Sequence, residues 1–420
     1  EEGLRQREVP EGLPGELLMK LPFLLASIAL LAGLPVLAAE RLVVTAQHDL
    51  KVPRPAETIT VPWREVAKAL PGALLHQLNV RDATGQVLPY QVTNVAPLAQ
   101  DPKNEGIAYG ELIFQHDFAA GEQSVRFTVE KAAGAVPPFP VKAFARYVPE
   151  RLDDFAWEND RIAHRTYGPA LAAPAAPGTA KEVLVTSGLD IWFKRPSYLI
   201  VDRWYNKGHD HYHRDEGEGL DMYSVGRSRG AGGSGIWKDG QLYTSRNYAR
   251  WRVLANGPVR AVFELDYDAW DAGGVQVSET KRFTIDAGQQ FYAVESTFTA
   301  RSAQALPVAL GLHKTPAYPN QQPQITTQRA PGLLMQWVKQ RDAGDFGAAI
   351  VLPGAQGYAE DAMNELILTQ AQPGHALRYH LGAMVSWSGE VTTAEAWRAY
   401  VQAYRARVAA PVRVLVGAER

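Results

Sequence analysis

His209, His211 and His213 alternate within the run Asp202–Tyr223, and the same run carries Tyr212, Asp215, Glu218 and Asp221. Two kinds of chemistry suit such groups. Alternating imidazoles on a strand would point to one side, where Asp or Glu could complete a divalent-metal shell. The spacing lacks the wider separation of a zinc signature. In the other reading His213 and Tyr212 transfer protons, while Arg227 or Arg229 just downstream neutralises a substrate carboxylate. A solvated, charge-paired loop is the bland alternative. Interleaved Trp, Tyr and Gly weigh against it, because mere solvation does not need them. The glycine-rich run 230–235 has no Gly-Lys-Ser/Thr ending and no strand-to-helix setting, so nucleotide binding is not expected.

A second polar segment spans Asp153–Pro169. Arg161 and Arg165 there have Glu158 and Asp160 as potential partners. On a strand, Arg165 and Tyr167 share a face and His164 points the other way. Trp157, Arg165 and Tyr167 are substrate-binding candidates beside Asp215, Glu218, Asp221 and Arg227. Of Lys281 and Arg282, one is expected to face a cleft. His313 and His380 sit in apolar settings where a core or rim role is commoner. Neither a Gly-x-Ser-x-Gly elbow nor a His-Glu-x-x-His helix occurs, which removes serine-hydrolase and zincin readings.

The elements that must position these groups read as β. Residues 40–131 form a small β unit with β-branched or alternating segments and one short helical turn near Val66–Leu70. Ala132–Pro140 is a linker by composition. Residues 141–420 read as one large antiparallel sandwich, with strands expected at 183–186, 189–194, 250–255, 258–267, 275–285 and 291–299. One helix stands out, Ala394–Arg407. It has a Thr cap, an early Glu, late Arg residues and an apolar face of Trp397, Tyr400, Val401 and Tyr404.

At the N-terminus, Met19-Lys20 precedes an apolar run, Pro35 and Ala38-Ala39, the parts of a secretory signal over 19–39. Residues 1–18 then read as a mis-called extension. An exported protein, periplasmic or secreted, is expected, with no stable membrane insertion after signal cleavage. The 420 residues contain no cysteine, which excludes disulfides and thiolate chemistry. A formal charge of −2 without a basic block gives no reason to expect a nucleic-acid partner.

Several motifs occur in one order: Phe155–Ala163, Tyr167-Gly168-Pro169, Ser187–Trp192, Tyr212-His213-x-Asp215-x-Gly217-Glu218-Gly219-x-Asp221-x-Tyr223 and Gly226-x-Ser228-Arg229-Gly230. Together they resemble a domain-of-unknown-function family of exported proteins found beside bacterial polysaccharide-degradation enzymes. The likeness spans roughly 140–400. It implies a β-supersandwich similar to those of sugar mutarotases and polysaccharide lyases, and an association with dehydratases of ulvan-type oligosaccharides. Motif positions carried onto this chain are Tyr212, His213, Asp215, Glu218, Asp221, Ser228 and Arg229. His209 and His211 fall outside the motif, which weakens the metal reading, and no cofactor is expected.

The resulting expectation is β-elimination from a uronate-containing oligosaccharide. His213 is the base, Tyr212 the acid, and Arg229 or Arg165 the stabiliser of the developing enediolate. The alternatives are a glycoside hydrolase with paired carboxylates, Asp215 with Glu218 or Asp221, and a non-catalytic glycan-binding protein.

Overall fold

Alternation of apolar and polar residues organises the chain into antiparallel sheets. The computed structural model describes residues 41–94, 110–301 and 303–419, with backbone alone at 418 and 419. The expected extension and signal segment lie outside the described residues. No helix among the described residues is long and apolar enough to cross a membrane.

The protein is mainly β, and every strand-to-strand ladder among the described residues is antiparallel. Five sheets form. The largest has eight strands in the order 250–255, 260–271, 276–286, 291–300, 376–385, 346–351, 333–339, 324–330. Gln276–Asp286 shows why: Val277, Glu279, Lys281, Phe283 and Ile285 are buried, while the intervening residues are half-exposed. One large core runs beneath this sheet. It includes Phe155, Trp157, Ile191, Phe193, Phe263, Phe283, Leu310 and Leu381. The core is shared with two five-stranded sheets, one built on 231–238 and 306–313, the other on 154–159 and 189–194.

The helix runs Ala394–Ala409, two residues beyond its expected end. The Thr393 hydroxyl accepts the Ala396 N–H at 3.1 Å, as an N-cap should. Trp397 and Val401 bury against the outer face of the eight-stranded sheet, and Phe291 stacks on Tyr404 at 4.0 Å. Gly347 lets the Trp397 indole lie on the strand, since a Cβ there would meet the ring at 2.5 Å.

The small β unit has its own core of Leu42, Val44, Ile59, Val61, Phe114 and Phe127, and its helix is Trp63–Ala69. Its outermost strand is Arg413–Glu419, which pairs with Arg41–Gln47. The last strand of the chain therefore completes the first unit, an arrangement the division at 131–141 did not anticipate. The expected strand 183–186 is irregular backbone instead.

Candidate functional site

In the sheet 143–148, 154–159, 163–166, 189–194, 219–221 the three central strands are buried on both faces. Period-two alternation sends Phe155, Trp157, Ile191 and Phe193 to the main core. Ala156, Ala163 and Trp192 pack on the opposite face, in a cluster with Trp204 and Tyr205 of the short helix Val201–Lys207 and with Tyr212. A buried ion pair seats that helix. Glu158 accepts the N–H groups of Ile200 and Val201, both at 2.8 Å, and is held by Lys194 at 2.9 Å.

A buried polar cluster centred on Arg165 occupies this second face. The Arg165 Nε donates to Asp190 Oδ2 and Nη2 to Asp221 Oδ2, both at 2.7 Å. Asp190 is its cross-strand partner. Asp154 Oδ2 lies 3.5 Å from Nη1 and accepts the Tyr205 hydroxyl at 3.0 Å. Tyr167 donates to Asp190 at 3.1 Å. The Tyr212 oxygen accepts from Arg165 Nη1 and from Arg151 Nε, each at 3.3 Å. Both lone pairs are then used, and the phenol proton is left for another acceptor. His213 stands beside it. Its Nδ1 is 3.7 Å from Asp221 Oδ2, and its side chain, 27% exposed, is the most open of the group. Gly219 fits the strand edge beside Asp221 because a Cβ would meet the Phe193 carbonyl at 2.2 Å.

Three carboxylates around Arg165 cannot all ionise cheaply out of water. Burial pushes Asp190 up to about 7, with the Asp221 charge adding to it and Arg165 opposing. Burial likewise raises Asp221 and Asp154 to about 6, again against Arg165. One oxygen of each of these two, Oδ1, is buried without a partner. Burial also raises Tyr212 against the pull of Arg165 and Arg151, so it stays a phenol. Burial and the Arg165 charge lower His213, leaving a neutral imidazole at pH 7.

The pH consequence has a definite sign. A native acid whose pKa is raised binds protons that the unfolded chain has lost, so its contribution to stability disappears as pH rises through the native value. Asp190→Asn removes one such group. Its unfolding free energy relative to wild type should therefore rise between about pH 4 and about pH 7 and level off above. Urea titrations of both proteins across that range check this.

Among the proposed site residues, Arg165, Tyr167, Tyr212, His213 and Asp221 come together. The others do not. Arg229 is fully buried, its guanidinium held by the Ser187 hydroxyl at 2.9 Å and the Ser234 carbonyl at 3.0 Å. It braces the glycine-rich strand and has no route to a substrate carboxylate. Ser228 is buried as well and donates to the Val225 carbonyl. Arg227 is exposed in a turn. Trp157 faces the main core, stacked on His164 at 5.4 Å, on the far side of the sheet from Arg165. Asp215 is partly desolvated, but Arg195 and the N–H groups of Gly217 and Gly219 hold it below its usual value. Glu218 is held at about 2 by the Tyr198 hydroxyl, then by Arg203 and Lys207. Both are ionised surface anchors rather than proton donors.

The histidines lie in turns, not on a strand, so alternation does not align them. His209 packs on His213 at 4.8 Å, and His211 pairs with Glu216 at 2.8 Å. Among the described residues no group of three His, Asp or Glu is placed to hold a metal. Lys281 is buried against Glu279 and Tyr267, and Arg282 binds Glu264. Sequence reasoning missed Arg151, Asp154, Asp190, Tyr205 and Tyr318. Asp190 had a signal: it is the one charge in Leu189–Phe193, on the same side as Trp192. Tyr318, 38% exposed, lies within electrostatic reach of Asp221, Asp190, Arg165 and Tyr212.

Comparison with known proteins gives distant and close likenesses. An α-mannosidase from Enterococcus faecalis V583 is similar with a TM-score of 0.43 and 10% identity, over 90% of this chain and 46% of that one. A glycosyl hydrolase family 38 protein from Enterococcus faecalis gives 0.42 and 11%, over 91% and 47%. The chain spans about half the length of those proteins, and the likeness is too distant to carry function. A sequence relative from Formosa agariphila, "Uncharacterized protein P7", is 30% identical over 392 residues, covering 90% of this chain and 94% of its own. The family described as "Domain of unknown function (DUF4861)" matches residues 46–414, and the chain belongs to it.

Proposed function

We propose that this protein is a carbohydrate-active enzyme that acts on uronate-containing oligosaccharides by β-elimination. The observation that carries the reading is the Tyr212 hydroxyl, accepting from two guanidinium groups and lying next to a neutral, partly open His213. His213 takes the proton α to the uronate carboxylate. The electron pair left behind forms the new carbon–carbon double bond, the β C–O bond breaks, and Tyr212 gives its proton to the leaving oxygen. His213 then returns its proton to solvent and Tyr212 is reprotonated. Arg165 replaces Arg229 as the source of positive charge at the site. Asp190, raised to about 7, keeps its proton into the neutral range and so offsets that charge only in part. The Arg165 charge, acting through the cluster, lowers the barrier to enediolate formation.

The family resemblance in sequence points the same way. A leaving water makes the enzyme a dehydratase, and a leaving sugar makes it a lyase. One observation favours a second reading, hydrolysis by paired carboxylates. Asp154 and Asp221 are raised acids, each with an unpaired buried oxygen.

The test is incubation of the purified protein with uronate-ended oligosaccharides, following ultraviolet absorbance and product mass. New absorbance with loss of water is the dehydratase result, and new absorbance with a shortened chain the lyase result. A shortened chain without absorbance transfers the assignment to hydrolysis. No change on any substrate, with binding retained, would make it a glycan-binding protein.

A further inference from the structure

A cleft of about 520 Å³ lies away from the Arg165 cluster, on the outer face of the eight-stranded sheet. Its floor is a cross-strand row, Thr284 beside Ala293 beside His380. Residues 54–58 of the small β unit form one wall. The end of the C-terminal helix, with Tyr404 and Arg407, forms another. The volume falls in the range of small-ligand sites, about 300–1,000 Å³.

The lining is cationic. Arg54, Arg260, Arg378 and Arg407 face Glu57 and Asp286. Glu57 is already held by Arg54 at 3.0 Å and Arg407 at 2.9 Å, and Asp286 by Arg260 at 2.6 Å. Arg378 is not so held. Its side chain is 63% exposed, and its carboxylate neighbour Glu295 is 3.8 Å away. Glu111 lies at similar range from Arg260, 3.9 Å. Arg407 is buried with its Nε unpartnered. His380 shares a hydrogen bond with the Tyr404 hydroxyl at 3.0 Å. Tyr404, backed by the buried Phe291, adds aromatic surface. Guanidinium forks, a hydroxyl, an imidazole and rings together suit one chemistry: a polyhydroxylated ring bearing an anionic group.

We propose that this cleft binds an acidic sugar unit, carboxylated or sulfated, with Arg378 contacting its anionic group. The site is separate from the Tyr212–His213 pair, and the inference does not rest on the elimination reading.

Ligand-observed NMR titration of the full chain tests it, with D-glucuronate, glucose 6-sulfate, D-glucose and inorganic sulfate as probes. At least one acidic sugar should bind, and comparison of the two separates carboxylate from sulfate recognition. Arg378→Ala should weaken that binding about tenfold or more, the loss of one charge-assisted hydrogen bond, and Arg378→Lys should weaken it less. Arg250→Ala, an equally exposed charge on the far edge strand, should change nothing. His213→Ala should also leave binding intact, so failure of the proposed reaction and failure of this site are distinguishable. Equal weakening by Arg250→Ala, equal affinity for glucose or for sulfate alone, or no binding of either acidic sugar would overturn the proposal.

Discussion

His213→Ala is expected to lower turnover of the uronate substrate about 10²- to 10⁴-fold, the range for removing a positioned general base. The fold should survive. The imidazole is partly exposed, and its hydrogen-bond neighbour is the main-chain carbonyl of Asp221, at 3.4 Å. Loss of the ring removes no buried charge. Because burial and Arg165 depress the His213 pKa, the wild-type base is unprotonated at neutral pH. The rate should therefore fall only when pH drops below the ordinary histidine range, and the variant should lose that acid limb. Circular dichroism and urea midpoints establish that the variant is folded, and single-turnover absorbance gives the rate. A near-normal rate in a folded variant removes His213 from the mechanism.

Arg165→Met should be the most destabilising single change in the site, at about 3–5 kcal/mol near neutral pH. Arg165 is the cation held by Asp190 and Asp221 and the one nearest Asp154. Without it three buried carboxylates face one another, and their native pKa values climb further. The sign follows from linkage: the variant's native state holds more protons than wild type, so its deficit grows as pH rises through about 6 to 7 and shrinks at pH 5. Arg165→Lys should be intermediate, since it keeps charge but cannot make the two directed bonds of the guanidinium fork. Urea unfolding of the three proteins at pH 5 and pH 8 measures this. A deficit independent of pH would show that packing on Trp192 and Tyr212, not charge, is what Arg165 supplies.

The cation-rich cleft and the Arg165 cluster also show how arginine burial divides roles. Arg229 and Arg54 are as buried as Arg165, yet each is tied to hydroxyls, carbonyls or a nearby Glu. Arg165 instead gathers carboxylates with raised pKa values and two tyrosines, the arrangement that proton transfer requires.

Much of this was legible in the residue order. Period-two alternation in 275–285, strand candidates set between turn signals, and the capped amphipathic segment at 394–407 made the mainly β class with one C-terminal helix readable. These are local signals, carried by neighbours along one element. The same rule placed Arg165 on one face and His164 on the other. The ordered motifs made the family readable too.

Alternation tells which residues share a face, but not what covers that face. Both faces of the strand at 154–159 are buried, so Trp157 was taken for the site and Asp154 passed over, though the first is core and the second meets Arg165. Arg151, Asp154, Asp190, Tyr205 and Tyr212 are scattered over sixty residues, and only strand pairing and the helix 201–207 bring them to one guanidinium. Density of charge misled at Asp215 and Glu218, because an exposed arginine nearby holds a carboxylate ionised just as a site would. The strand at 413–419 joins a sheet begun at residue 41, a pairing decided by long-range hydrogen bonds that no local pattern encodes. The sequence by itself determined the elements and their faces; the tertiary structure alone decided which charges lost their water, and so which could do chemistry.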